Sequence, residues 1–247
     1  MFALPENKLS RIPCSNPKKF LLRLEKEISL LHQHLGGDKP SRISITFYPY
    51  VGLRNTVKEK GTGLRIRISD ILKNAPFHIL VAVSSLLLYK MANLKAPSEI
   101  KRVYRNYVNQ DSIINYSNRI RRCRGKKRFY SSSGDYFDLQ VLFNDLNEKF
   151  FNNELALEHL SWSPGSSKKT LGYFDPAYNA IVLSRVLDCK NVPQYVVAFV
   201  LYHEMLHAFL GEIVRKGKRY KHHRRFRVAE REFPGYKDAM QFITEQL

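Results

Sequence analysis

Two histidines four residues apart, His203 and His207, with Glu204 beside the first, form the segment His203-Glu204-Met205-Leu206-His207. On a helix, positions i and i+4 project from one face, so the two imidazoles can share one ion. Neutral ring nitrogens suit Zn2+ in tetrahedral geometry. Glu204 is placed to reach a water held by such an ion, whose pKa falls to about 7, and to take its proton. Hydrolysis of an amide is the reaction this set supports. The motif also arises by chance in a chain with eight histidines, so its surroundings matter. Tyr195, Val196, Val197, Phe199, Val200, Leu206 and Phe209 supply the apolar setting that a water-excluding site needs.

A catalytic zinc takes a third protein ligand and keeps a fourth position open. His222 and His223 are the candidates. They precede Phe226, Val228, Ala229 and Phe233, whose spacing predicts another helix that ends near Pro234 and Gly235. Glu230 or Glu232 would be the alternative, a carboxylate third ligand.

The elements that must position these residues are legible as periodicity. From Val192 to Leu210 the pattern is helical, with Pro193 in a tolerated first-turn position and Gly211 as the stop. Before it, Leu160–Ser163, Leu171–Phe174 and Ala180–Leu183 read as short strands of a small, mostly antiparallel sheet. Tyr136–Phe151 reads as an amphipathic helix with Asp135 as its N-cap. The fold class is therefore α+β.

The N-terminal half follows the same order. Leu21–Leu35 is helical, Ser44–Phe47 and Leu64–Ile68 are strand-like, and an apolar run follows from Ile79. At a constant offset of 115, Phe47, Pro49 and Ser69 fall on Trp162, Pro164 and Ser184. After a shift of two residues, Asn74 and Pro76 fall on Asn191 and Pro193. This predicts a degenerate copy in which Leu86, Leu87 and Lys90 replace His203, Glu204 and His207, leaving no metal ligand. The expected organisation is an N-terminal α+β domain over 1–118, a basic and Ser-rich linker over 119–135, and a catalytic domain over 136–247.

Composition bounds these readings. A chain of 247 residues that is 44% apolar can bury one large core or two small ones. The longest apolar run, Ile79–Tyr89, falls short of the about 20 residues a bilayer requires and reads as a buried helix. The N-terminus lacks the order of a secretory signal, which makes a cytoplasmic location, with nucleoid or nuclear association, the expectation. Cys14, Cys123 and Cys189 are far apart and form no CxxC pair, which argues against a disulfide framework or a cysteine zinc ribbon.

A net charge of +19 attracts polyanions, DNA or RNA among them. Two blocks stand out. Arg121, Arg122, Arg124, Lys126, Lys127 and Arg128 lie in the linker. Arg215, Lys216, Lys218, Arg219, Lys221, Arg224 and Arg225 lie beside the proposed third ligand, where they could hold a phosphate backbone while Tyr220 or Phe226 stacks on a base.

Several segments in order resemble the SprT-like family, including the Spartan proteases. Asp138-Leu139-Gln140-Val141-Leu142-Phe143 and Asn147-Glu148-Lys149-Phe150-Phe151 resemble its opening helix. Leu171-Gly172-Tyr173-Phe174 and Ile181-Val182-Leu183-Ser184 resemble its strands. His203 to His207 resembles its HExxH, and His222 through Phe226 its later H-x-x-x-F segment. The resemblance covers about residues 136–247. It implies a small zincin-like fold and favours His222 as third ligand, with His223 as an alternative or a supporting residue. It further implies a zinc metallopeptidase and, for Spartan-like members, action on proteins crosslinked to DNA. The competing functions are a general intracellular peptidase without a DNA role and a nucleic-acid-binding protein with a vestigial zinc site.

Overall fold

The computed structural model describes residues 17–37 and 42–247; Cys14 and the N-terminal stretch read for a signal lie outside them. The chain divides into two compact units, Met1–Ser117 and Asn118–Leu247.

The first unit runs α1 (Pro17–His34), β1 (Ile43–Tyr48), β2 (Thr56–Lys60), β3 (Gly63–Ser69), a 3-10 turn at Asp70–Leu72, α2 (Phe77–Met91) and α3 (Ser98–Val108). The unit boundary falls within α4 (Asp111–Arg124). In β3 the apolar residues Leu64, Ile66 and Ile68 alternate with Arg65 and Arg67, so one face enters the core. There they join Leu24 and Ile28 of α1 and Leu80, Val83 and Leu88 of α2.

The second unit runs α5 (Leu139–Phe151), β4 (His159–Trp162), β5 (Gly172–Asp175), β6 (Ala180–Leu183), a 3-10 turn at Arg185–Leu187 and α6 (Gln194–Leu210). A hairpin of β7 (Ile213–Arg215) and β8 (Lys218–Tyr220) follows, then α7 (Arg224–Arg231) and α8 (Tyr236–Gln246). Strand β6 is buried along its whole length, as a central strand covered on both faces must be. Helix α6 is apolar on nearly every side and runs through the core formed by Leu139, Leu142, Trp162, Ile181 and Leu183.

The two units share one topology. Each three-stranded sheet places the third strand centrally, parallel to the first and antiparallel to the second. Phe47 pairs with Ile68 across the parallel ladder of one sheet, and Trp162 with Leu183 at the corresponding point of the other. Both 3-10 turns begin just after a buried serine, Ser69 or Ser184, and both following helices begin after a capping proline, Pro76 or Pro193.

The structure departs from the expected organisation in three places. The sheet of the second unit is mixed rather than mostly antiparallel, because β4 and β6 run parallel. Helix α5 starts at Leu139, where Asp138 accepts a hydrogen bond from the Gln140 N–H, and not at Tyr136 behind Asp135. Residues 119–135 do not form a free connector. Their first part is helical as α4. The remainder packs within the second unit, with Phe129 stacked on His159 and the Trp162 N–H donating to the Ser131 carbonyl. Asp188 then gathers the N–H groups of Asp135, Tyr136 and Phe137. A side chain at Gly134 would strike the Asp188 carboxylate at 2.4 Å, so this close approach requires glycine.

Among the described residues no helix is long and apolar enough to cross a membrane.

Candidate metal centre

The last turns of α6 carry His203, Glu204 and His207, and the chain leaves the helix through Gly211 at φ 63°, a conformation that favours glycine. The β7–β8 hairpin then reverses the chain through Lys216 and Gly217, both at positive φ. This return brings His222 back over the helix. Its Nε2 lies 3.1 Å from His207 Nε2 and 3.3 Å from His203 Nε2.

These three histidines form the one group among the described residues whose nitrogen, sulfur and carboxylate donors converge as a metal site requires. Three nitrogens at about 2.0–2.1 Å from a tetrahedral centre stand about 3.3 Å from one another. The two spacings to His222 are close to that value, and all three donors lie within 4.8 Å of one another, so these residues could hold a zinc ion.

Phe226 holds the three rings. It is fully buried on the first turns of α7, with its ring centroid 5.0, 4.6 and 4.8 Å from those of His203, His207 and His222. Phe226 is therefore unable to stack on a base, in contrast to the expectation from sequence, whereas Tyr220 is 45% exposed and can. The Tyr202 hydroxyl ties α6 to α7 by donating to the Ala229 carbonyl at 2.9 Å. Burial and the nearby Glu232 and Glu230 push its pKa to about 12, which keeps it a donor.

His223 is turned away from the cluster. It caps α7, with Nδ1 accepting from the Phe226 N–H. Glu230 is not a third ligand in this arrangement either. Its Oε1 lies 2.6 Å from His203 Nδ1, leaving Nε2 to face the cluster. Glu232 follows the last turn of α7 as its exposed C-cap. Burial lowers the His207 pKa to about 3, with the charges of His203 and His222 acting in the same sense, so its ring is neutral at physiological pH. His222 is shifted downward by burial and by His203.

Glu204 is buried at 6% exposure on the sheet side of the helix. Burial raises its carboxyl above the ordinary value, offset in part by His203 and by the Phe174 backbone. The cradle is tight. A Cβ on Gly172 of β5 would stand 3.0 Å from Glu204 Cγ and 3.1 Å from Leu183 Cδ2. Next to Gly172, a cavity of about 480 Å³ opens between Tyr173 and the loop that carries Ser163, Ser167 and Thr170. The histidines do not line it.

The two basic blocks separate in character. Arg121 and Lys127 both reach Asp175, at 3.2 and 2.6 Å, and Arg122 pairs with Glu158, so half of the first block is spent inside the unit. Lys126 and Arg128 are exposed. In the second block Arg215, Lys216, Lys218, Arg219, Lys221, Arg224 and Arg225 are all exposed, although Arg219 and Lys221 also reach Glu212.

Comparison of the chain with curated proteins and with solved structures finds no match. The model of the SprT-like family matches residues 139–241, from the start of α5 into α8, a span that contains His203, Glu204, His207, His222 and Phe226. The matched span lies wholly within the second unit of this chain and covers most of it.

Proposed function

We propose that the second unit is a zinc-dependent peptidase, with His203, His207 and His222 as metal ligands and Glu204 as general base. The convergence of three imidazole Nε2 atoms beside one buried carboxylate carries this reading. A bound zinc would polarise the scissile carbonyl and acidify a water. Glu204 takes a proton from the attacking water as oxygen bonds to the carbonyl carbon, then returns it to the amine nitrogen as the C–N bond breaks. Burial raises its carboxyl above the ordinary value, the direction that makes it a stronger base. Glu230 fixes the His203 ring, and Phe226 supports all three imidazoles. Strand β5 is a sheet edge next to Glu204, a place where an extended peptide can add backbone hydrogen bonds. This is the feature that favours a protein or peptide substrate.

The exposed cations of the β7–β8 hairpin favour substrates associated with nucleic acid, because the hairpin ends two residues before His222. Phosphate contacts from such cations give affinity without sequence readout. A general peptidase would not need them.

The test combines elemental analysis with cleavage of denatured casein, with and without a chelator and single-stranded DNA. About one zinc per chain and chelator-sensitive cleavage are expected. Neutralising Arg215, Lys216 and Lys218 should abolish stimulation by DNA while leaving basal cleavage unchanged. A protein that takes up zinc and binds DNA but cleaves nothing would favour the vestigial site instead.

A further inference from the structure

Helices α2 and α6 each begin after their capping proline, and the sheets before them share one register. Counted from Pro76 and Pro193, the places of His203, Glu204 and His207 are held in the first unit by Leu86, Leu87 and Lys90. Two leucines and a lysine cannot hold a divalent ion. The place is not filled in, however. A cavity of about 390 Å³ lies there, lined by Leu86, Tyr89 and Lys90 of α2 and by Leu94, Lys95 and Lys101 after it. Asn93, at φ 58°, turns the chain out of α2 toward Leu94 and Lys95.

The electrostatics of this cavity are one-sided. Three lysines line it and no carboxylate does. Among the described residues none of the three lysines pairs with an acid, and the adjacent Glu99 is engaged by Ser98 and Arg102. The unit as a whole carries 19 lysines and arginines against 8 aspartates and glutamates. Three cations around a partly apolar, tyrosine-bearing cavity fit an anion joined to a flat apolar body, which is the chemistry of a nucleotide.

We infer that the first unit is a metal-free copy of the second unit's core, and that its former ligand place binds the phosphodiester backbone of single-stranded nucleic acid. Lys90, Lys95 and Lys101 meet phosphates, and Tyr89 and Leu94 offer a surface to a base. This site needs neither zinc nor cleavage, so it stands or falls separately from the peptidase reading.

The test is binding of the full chain to a fluorescent oligothymidylate of about 20 nucleotides over a range of salt concentrations. The triple variant Lys90→Gln, Lys95→Gln, Lys101→Gln is compared with a control triple on exposed lysines elsewhere in the unit, Lys26→Gln, Lys58→Gln, Lys73→Gln. The cavity triple should bind at least ~10-fold more weakly. Its dependence of log K on log salt should be shallower by about two, at roughly 0.7 per lost phosphate contact on a single strand. The control should change by less than about threefold, and a triple Lys→Arg variant of the cavity should retain affinity. Equal losses in both Gln triples, or none in either, would overturn the site. Thymidine monophosphate and inorganic phosphate form a second arm. If either binds the wild type and not the cavity triple while oligothymidylate binding is the same in both, the ligand is a free phosphate compound and the strand assignment fails.

Discussion

Glu230 Oε1 lies 2.6 Å from His203 Nδ1, so a carboxylate on α7 sets the tautomer of a histidine on α6 and aims its Nε2 at His207 and His222. Burial by itself would raise the Glu230 carboxyl, but the His203 hydrogen bond and the histidine charges outweigh it and hold the group below the ordinary range. Glu230→Ala should therefore leave His203 free to rotate. Zinc affinity, measured by competition with a chromogenic chelator, should fall about 10- to 100-fold while the fold is retained. Unchanged affinity would show that the contact does not position the ring.

His222 and His223 are adjacent in sequence and differ in role. His222→Ala should lose stoichiometric zinc. His223→Ala should keep it and lose about 0.5–1 kcal/mol of stability with the α7 cap, read from urea unfolding of the metal-free protein. The reverse pattern would exchange the two assignments.

Gly172 tests the cradle of the base. In Gly172→Ala the new methyl meets Glu204 Cγ at 3.0 Å and Leu183 Cδ2 at 3.1 Å, so Glu204 must shift. Cleavage should fall at least ~10-fold with zinc content intact, since a small misplacement of a catalytic group is costly. Full activity in this variant would mean that Glu204 does not need its position.

Much of this arrangement could be read from the sequence because the signals were local. The HExxH spacing, the apolar setting of α6 and the prolines and serines that punctuate both units each lie within a few residues of what they specify. Pairing that spans the chain was not readable in this way. Nothing local states that β4 lies parallel to β6, which follows from the crossover between them. The hairpin from Ile213 to Tyr220 is hidden in the sequence because Arg215, Lys216, Lys218 and Arg219 mask any alternation, leaving Lys216-Gly217 as the lone turn signal. Arg121 and Lys127 read as free cations because their partner, Asp175, is 54 and 48 residues away.

That last network predicts a pH effect. Burial alone would raise the Asp175 carboxyl, yet the Lys127 hydrogen bond and the charges of Arg121 and Lys127 hold it below its ordinary value. A carboxyl lowered on folding adds stability that is present above its unfolded value and is lost as pH falls through its folded value. Asp175→Asn should thus melt below wild type at pH 7, and the two curves should converge as pH falls below about 4, the ordinary value of an Asp carboxyl. Parallel curves across that range would remove Asp175 from the account.

The most direct measurement is cleavage of an unfolded protein by wild type and by Glu204→Gln, each loaded to the same zinc content. The amide preserves the size of the side chain but cannot take a proton from water. Zinc should bind equally to both, and the variant should lose at least ~100-fold in rate. Undiminished cleavage by Glu204→Gln at matched zinc would contradict the assignment of Glu204 as the base.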